Sequence, residues 1–247
     1  MDDEKSSVGH VPSGARWEFD QTVTDVFEDM LERSIPQYRV MRAAVTDLAA
    51  DIIAGDLGTK AEGHGAVIVD IGCSRGDAMA PLVERFPKAS FLGLEISEPM
   101  LEAARSRFSG MSNVRIEAWD LRKGLPAYRT ATVILSVLTI MFVPIEHRLR
   151  LLRRLADMVM PGGALIIVEK VLGASARIDE AMVERYYAMK AANGYSTEEI
   201  ERKRMALEGV LVPMAADWNE DMLRRAGFEE IDAFWRWFNF MGWIALR

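Results

Sequence analysis

Apolar residues along this chain fall into two alternating patterns: short unbroken runs, and longer stretches with helical spacing. The runs Ala66–Asp70, Ser90–Glu95, Val114–Glu117, Thr132–Leu135 and Ala164–Val168 predict strands, the first two each ending in an acid. Between them, Ala78–Phe86, Pro99–Phe108 and Ile145–Met158 carry the helical period. Ahead of the first strand, Val26, Phe27, Met30 and Leu31 predict one helix over Asp25–Arg33. Pro36 breaks the pattern, and a second helix is expected over Tyr38–Ile53. Strands alternating with helices specify a parallel sheet covered on both faces. Pro161-Gly162-Gly163 reads as a tight turn opening the fifth strand. From Gly173 to Val212 the strand signal vanishes, leaving two helical patterns around Asn193-Gly194-Tyr195-Ser196. A helix ending at Ala226 is closed by Gly227, and Ile231–Phe238 with Met241–Leu246 then form an antiparallel pair. The expectation is an α/β fold with a mostly parallel seven-stranded sheet, divided into N-terminal helices (1–60), a core (61–172), a helical lid insertion (173–215) and a closing helix and strand pair (216–247).

Composition narrows this picture in a few places. Half of the 247 residues are hydrophobic, enough for one large core. The formal net charge of −7 argues against a broadly basic nucleic-acid surface, so no direct nucleic-acid partner is expected. Arg148-Leu149-Arg150 and Arg153-Arg154 are read as the solvated face of a helix. Residues Met1 to about Gly14 are polar and read as a disordered lead-in. The single cysteine, Cys73, excludes an internal disulfide and suits a reducing compartment. No apolar run spans a bilayer, so no membrane association and a cytoplasmic setting are expected. His10, His64 and His147 are scattered and make no ligand spacing with Cys73 or an acid cluster, so no metal is expected.

The chemistry is carried by Asp70-Ile71-Gly72-Cys73-Ser74-Arg75-Gly76, the turn leaving the first strand. Gly72 and Gly76 permit close approach of a ligand to the backbone. This is not the dinucleotide fingerprint, because Ser74 holds the second glycine position and the third glycine comes one residue early. Nor does it carry the Lys and Ser/Thr of a P-loop, so the ligand has no pyrophosphate to seat on the helix N-terminus. Glu95, ending the second strand, can accept both hydroxyl protons of a ribose. Asp120 in Trp119-Asp120-Leu121 can accept from an adenine amino group. Cys73 reads as a small packed residue beside the ligand; no histidine near it in sequence supports a nucleophile. The late aromatics (Phe234, Trp235, Trp237, Phe238, Phe240 and Trp243) read as core and edge packing.

This ordered set of loop, acids and glycine turn resembles the motifs of class I S-adenosylmethionine (SAM) dependent methyltransferases, which implies a Rossmann-like fold and SAM as ligand. A narrower resemblance, from about Trp17 to the C-terminus, is to the carboxy-S-adenosylmethionine synthase family, which serves tRNA wobble-uridine modification. It rests on Trp17-Glu18-Phe19-Asp20, Val26-Phe27-Glu28-Asp29-Met30, Arg33-Ser34-Ile35-Pro36-Gln37-Tyr38, Glu169-Lys170, Ala192-Asn193-Gly194-Tyr195-Ser196, Lys203-Arg204, and Trp237-Phe238-Asn239-Phe240. The resemblance implies that Tyr38, Asp70, Gly72, Cys73, Ser74, Gly76, Glu95, Ile96, Asp120, Leu121 and Ser136 hold SAM or carboxy-SAM. It implies that Arg204 grips the extra carboxylate of carboxy-SAM, a task suited to a planar guanidinium. Tyr38 and Arg204 are thus the residues expected at the reacting end. The reaction implied converts SAM and prephenate to carboxy-SAM and phenylpyruvate.

The chain also departs from the family pattern. Ser136 stands in place of an asparagine, the run Ser136–Phe142 is more apolar, the segment Glu184–Lys190 lacks a histidine pair, and Glu95 replaces an aspartate. Two rivals therefore stay open: a methyl or carboxymethyl transferase with another acceptor, and a non-catalytic SAM-binding protein. Tyr186, Tyr187 and Tyr195 could face a second substrate or pack between helices. The resemblance implies a homodimer, for which Met182, Tyr186, Met205 and Leu207 are the expected exposed apolar residues.

Overall fold

A computed structural model describes residues 16–55, 62–126 and 130–247. The expected lead-in over Met1–Gly14 lies outside the described residues. The chain opens with short helices α1 (Gln21–Asp25) and α2 (Phe27–Ser34), then α3 (Tyr38–Gly55). The helix expected over Asp25–Arg33 is α2, and α1 is an additional short turn of helix before it. Asp20 caps α1, its carboxylate accepting the Val23 N–H, and the chain turns at Val26 so that Phe27 and Met30 face inward.

The core follows as β1 (Val67–Ile71), α4 (Ala80–Arg85), β2 (Ser90–Glu95), α5 (Glu98–Arg107), β3 (Val114–Ala118), β4 (Ala131–Val137), α6 (Ile145–Met158) and β5 (Val159–Leu172). Helices α7 (Ala176–Ala192) and α8 (Thr197–Leu207) come next, then β6 (Met214–Ala215), α9 (Ala216–Ala226), β7 (Glu230–Trp237) and β8 (Phe240–Leu246). The sheet runs β3-β2-β1-β4-β5-β8-β7, parallel through β5 and antiparallel at β8 and β7. The seven expected strands are all present. An eighth, the two-residue β6, adds itself beside Val171 and Leu172, too short to leave a periodic signal.

One expected turn changes character. Pro161-Gly162-Gly163 lies inside β5, where Ala131 pairs with Val159 but Val133 pairs with Ala164. The extra residues bulge outward, Gly162 at φ +78° donating its N–H to the Arg247 carbonyl. A side chain at Gly163 would meet the Thr132 carbonyl at 2.6 Å.

Two apolar clusters cover the sheet, one built on α3 and α4 and the other on α6 and α9. Arg148 was expected on a solvated face and is instead buried. Its guanidinium donates to the carbonyls of Val143, Met141 and Val212, tying α6 to the chain before β6. The late aromatics pack as expected, with Trp243 and Phe240 buried and Trp237 at the edge. A third cluster joins Trp17, Val23, Phe27 and Met30 to Met100 and Ala206, and the Trp17 N–H donates to the Ala206 carbonyl. The N-terminal segment and α8 therefore close together over the carboxyl ends of the parallel strands.

Candidate active site

Beneath that cover lies a cavity of about 930 Å3, mouth included. Its floor is the turn after β1, and its walls include Trp17, Phe27, Met30, Tyr38, Met141, Phe142, Lys170 and Tyr186.

The turn has the conformation its sequence demands. Gly72 stands at φ +66°, and a Cβ there would fall 2.4 Å from Thr139 Cγ2. Ser74 is itself left-handed at φ +49°, held because its N–H donates to Glu95 Oε2 at 2.9 Å. Gly76, at φ +77°, sits where a Cβ would strike the ring of Phe108. At the end of β1, Asp70 is 1% exposed and its Oδ2 has no hydrogen-bond partner. Burial pushes its carboxyl up to about 7, with Arg42 opposing and Glu95 and Asp77 adding to the rise. A buried acid with an unpartnered oxygen, facing a cavity, fits a cationic ligand group such as the ammonium of SAM. Burial also pushes the Cys73 thiol up, aided by Asp70 and Glu95, which suits packing rather than nucleophilic attack.

The residues expected at the site divide into three groups. Tyr38, Asp70, Gly72, Cys73 and Ser74 line the cavity. Gly76, Glu95, Ile96, Asp120 and Leu121 lie beyond it, on the loops after β1, β2 and β3 at the same carboxyl edge of the sheet. Glu95 turns back on the protein: Oε1 accepts the N–H groups of Ile96 (2.7 Å) and Ser97 (2.9 Å), and Oε2 that of Ser74. With three of about four acceptor positions filled, it has room for one ribose hydroxyl rather than two. Asp120 is held by Arg122 through two hydrogen bonds of 2.8 and 2.9 Å. Ser136 is fully buried in β4 with its hydroxyl unpartnered.

Arg204 stands apart. It is exposed on α8, donating to both carboxylate oxygens of Glu201 at 2.8 and 2.6 Å, and it does not line the cavity of its own chain. Lys203 takes the inward place, with Nζ 4.7 Å from the centre of the Trp17 ring. Helical spacing marks this position, since Ile200, Lys203 and Ala206 recur at i, i+3 and i+6 and both apolar members are buried. Lys170, Arg42, Phe27 and Phe142 were likewise not anticipated in the lining, whereas Tyr38 was. Tyr186 and Leu207, expected as exposed interface material, line the cavity instead, Tyr186 packing 5.4 Å from Phe240. Met205 is exposed as expected. Among the described residues no cluster of His, Cys, Asp or Glu could hold a metal ion, and no helix is long and apolar enough to cross a membrane.

The sheet order, the glycine turn and the acids at successive strand ends define a class I SAM-binding α/β enzyme. Residues 68–163 match a family model described as a methyltransferase domain. Solved structures agree on the fold. An O-methyltransferase family protein from Burkholderia thailandensis superposes with a TM-score of 0.60 at 16% identity, and human N-acetylserotonin methyltransferase in complex with SAM does so with 0.60 at 12%. The chain is 92% covered in both, but spans only 60% and 55% of those longer proteins. Sequence relatives are nearer. Carboxy-S-adenosyl-L-methionine synthases from Wolinella succinogenes (39% identical, 94% of each chain) and Methylococcus capsulatus (36%, 93% of each) match almost end to end. The chain belongs to the carboxy-S-adenosyl-L-methionine synthase family.

Proposed function

We propose that this protein makes carboxy-SAM from SAM and prephenate, releasing phenylpyruvate. The observation that carries the reading is the near-full-length match to proteins of that name, joined to a cavity on the SAM loop. In the reaction, the bond from the ring of prephenate to its carboxylate breaks and the electron pair aromatises the ring as the hydroxyl leaves. The SAM methyl carbon gives up a proton and bonds to the carbon dioxide set free. Proton and hydroxide leave as water, so SAM and prephenate are balanced by carboxy-SAM, phenylpyruvate and water.

The residues suit that task by position. Asp70 takes the ammonium of SAM, Gly72, Cys73 and Ser74 bring backbone close to its methionyl part, and Tyr38 closes the cavity from α3. Glu95, Ile96, Asp120, Leu121 and Ser136 are assigned to the adenosyl side. The apolar wall of Phe27, Met30, Leu31, Phe142 and Leu211 excludes water, so that carbon dioxide meets the methyl carbon before it escapes. Arg204 is the clamp for the new carboxylate, and to serve it must exchange Glu201 for the ligand, in its own cavity or in that of a second subunit. We assign the protein to the cytoplasm as a homodimer whose product feeds tRNA modification, with α7 and α8 as its lid.

Calorimetry of stripped protein tests the clamp. Arg204→Ala should lower affinity for carboxy-SAM by about tenfold or more, the loss expected for one charged hydrogen-bonded pair, and leave SAM affinity unchanged. Equal losses for both ligands would remove Arg204 from this role. Formation of phenylpyruvate from prephenate only when SAM is present tests the reaction itself.

A further inference from the structure

Three lysines gather about the cavity, and among the described residues none of them forms an ion pair with a carboxylate. Lys170, near the end of β5, and Lys203, on α8, line the cavity. Lys190, near the end of α7, lies behind them and is 3% exposed. Each ammonium rests on aromatic rings: Lys170 Nζ is 5.0 Å from the centre of Tyr186, Lys190 Nζ is 4.9 Å from Tyr195, and Lys203 Nζ is 4.7 Å from Trp17. The guanidinium of Arg33 adds a fourth positive charge, 4.5 Å over Tyr195. The nearby acids act only at a distance, Asp179 on Lys170 and Glu199 on Lys190. Asp179 accepts the Gly173 N–H at 2.7 Å, Glu199 accepts the Ser196 N–H at 2.7 Å, and Asp29 faces Arg33 at 3.4 Å.

Positive charges drawn together in a low-dielectric cavity, without an ion pair among the described residues, repel one another and lose their hydration. Burial, then Lys190, Lys170 and Arg33, bring Lys203 down to about 7, and burial lowers Lys170 as well. An anion arriving between them relieves both penalties at once. Much of the remaining lining is apolar, as at Phe27, Met30, Leu31 and Phe142. That contrast matters for a ligand that loses carbon dioxide. A carboxylate about to leave sheds its charge in the transition state, so a cation gripping it would hold the ground state back. The cations therefore suit a carboxylate that is retained.

We propose that Lys170 and Lys203 form an anion subsite that holds the retained carboxylate of an α-keto acid second substrate, with the remainder of that substrate against the apolar wall. The choice of a decarboxylating substrate rests on the synthase reading; the anion subsite rests on the geometry alone. Tyr186 and Trp17, which line the cavity beside them, position the two ammonium groups.

The test uses the whole SAM-loaded protein, with phenylpyruvate as binding probe in calorimetry and prephenate as substrate in turnover. Lys170→Met and Lys203→Met keep most of the apolar stem, and Lys203→Arg keeps the charge. The expected result is a rise of about tenfold or more in Kd for phenylpyruvate and in KM for prephenate in both methionine variants, as for loss of a charged hydrogen bond. SAM affinity should stay within about twofold, which also shows that the variants are folded, and Lys203→Arg should recover part of the loss. Unchanged phenylpyruvate affinity in both methionine variants, or an equal loss of SAM affinity, overturns the subsite. If the unaltered protein binds phenylpyruvate through these lysines but does not turn over prephenate, the subsite stands and the synthase reading falls. If prephenate turns over and its KM ignores both lysines, the reading stands and the subsite falls.

Discussion

Replacing Asp70 with asparagine separates what this residue does for the ligand from what it costs the fold. In the unfolded chain its carboxyl ionises near 3.8; in the fold, burial moves it to about 7. A carboxyl raised in this way prefers its proton when folded, so ionising it opposes folding. The penalty is absent below about 3.8, grows between there and about 7, and is fully present above. Three pH units at about 1.4 kcal/mol each make it roughly 4 kcal/mol at pH 8 and between 1 and 2 kcal/mol at pH 5. Asparagine has no such titration, but its buried amide costs roughly 1–3 kcal/mol wherever it lacks a partner. That cost is independent of pH and cancels on comparing two pH values. The gain in stability of Asp70→Asn over the natural protein should therefore be about 2–3 kcal/mol larger at pH 8 than at pH 5. Glu169, raised to about 8 by its own burial, titrates in both proteins and drops out of the difference. Urea unfolding of ligand-free protein at the two pH values supplies the numbers. SAM should stabilise the natural protein and have about tenfold or more weaker hold on the variant, since a charged hydrogen bond is lost. A stability difference that does not move with pH, or undiminished SAM binding by Asp70→Asn, would refute the reasoning.

Further outcomes follow from the same turn. Gly72→Ala must seat a side chain at φ +66° against Thr139 and should lower stability by about 1–3 kcal/mol, read as a shifted urea midpoint, with weaker SAM binding. Glu95→Gln leaves one acceptor oxygen for three N–H groups and should cost about 1–3 kcal/mol as well as SAM affinity. Glu95→Asp shortens the side chain and should release Ser74 while keeping SAM binding; calorimetry that finds it as damaging as Glu95→Gln would contradict this account. Arg148→Met removes the donor to three carbonyls and should lower the melting temperature with little effect on SAM affinity.

Much of the fold was legible because the parallel strands are buried on both faces and write unbroken apolar runs, as at Ala66–Asp70 and Ala164–Val168. The glycine turn was legible because no other residue accepts its geometry at Gly72 and Gly76. What escaped were features set by tertiary partners. A two-residue strand at Met214–Ala215 has no period to detect, and the bulge at Pro161-Gly162-Gly163 depends on the register with β4. Arg148 looks like any helix arginine until the carbonyls of Val143, Met141 and Val212 are placed around it. On α8, the resemblance names Arg204, and the spacing of Ile200, Lys203 and Ala206 marks its neighbour Lys203 as the inward side chain. Tyr186 could not be assigned between surface and core because α7 is apolar on more than one side, facing both the cavity and its neighbours.

The most direct test of the account is isotopic. Purified protein, stripped of bound small molecules, is incubated with SAM and prephenate carrying carbon-13 in its ring carboxylate, and the products are read by mass spectrometry. The account predicts carboxy-SAM bearing the label, formed in step with unlabelled phenylpyruvate. Unchanged SAM, or carboxy-SAM without the label, would contradict it.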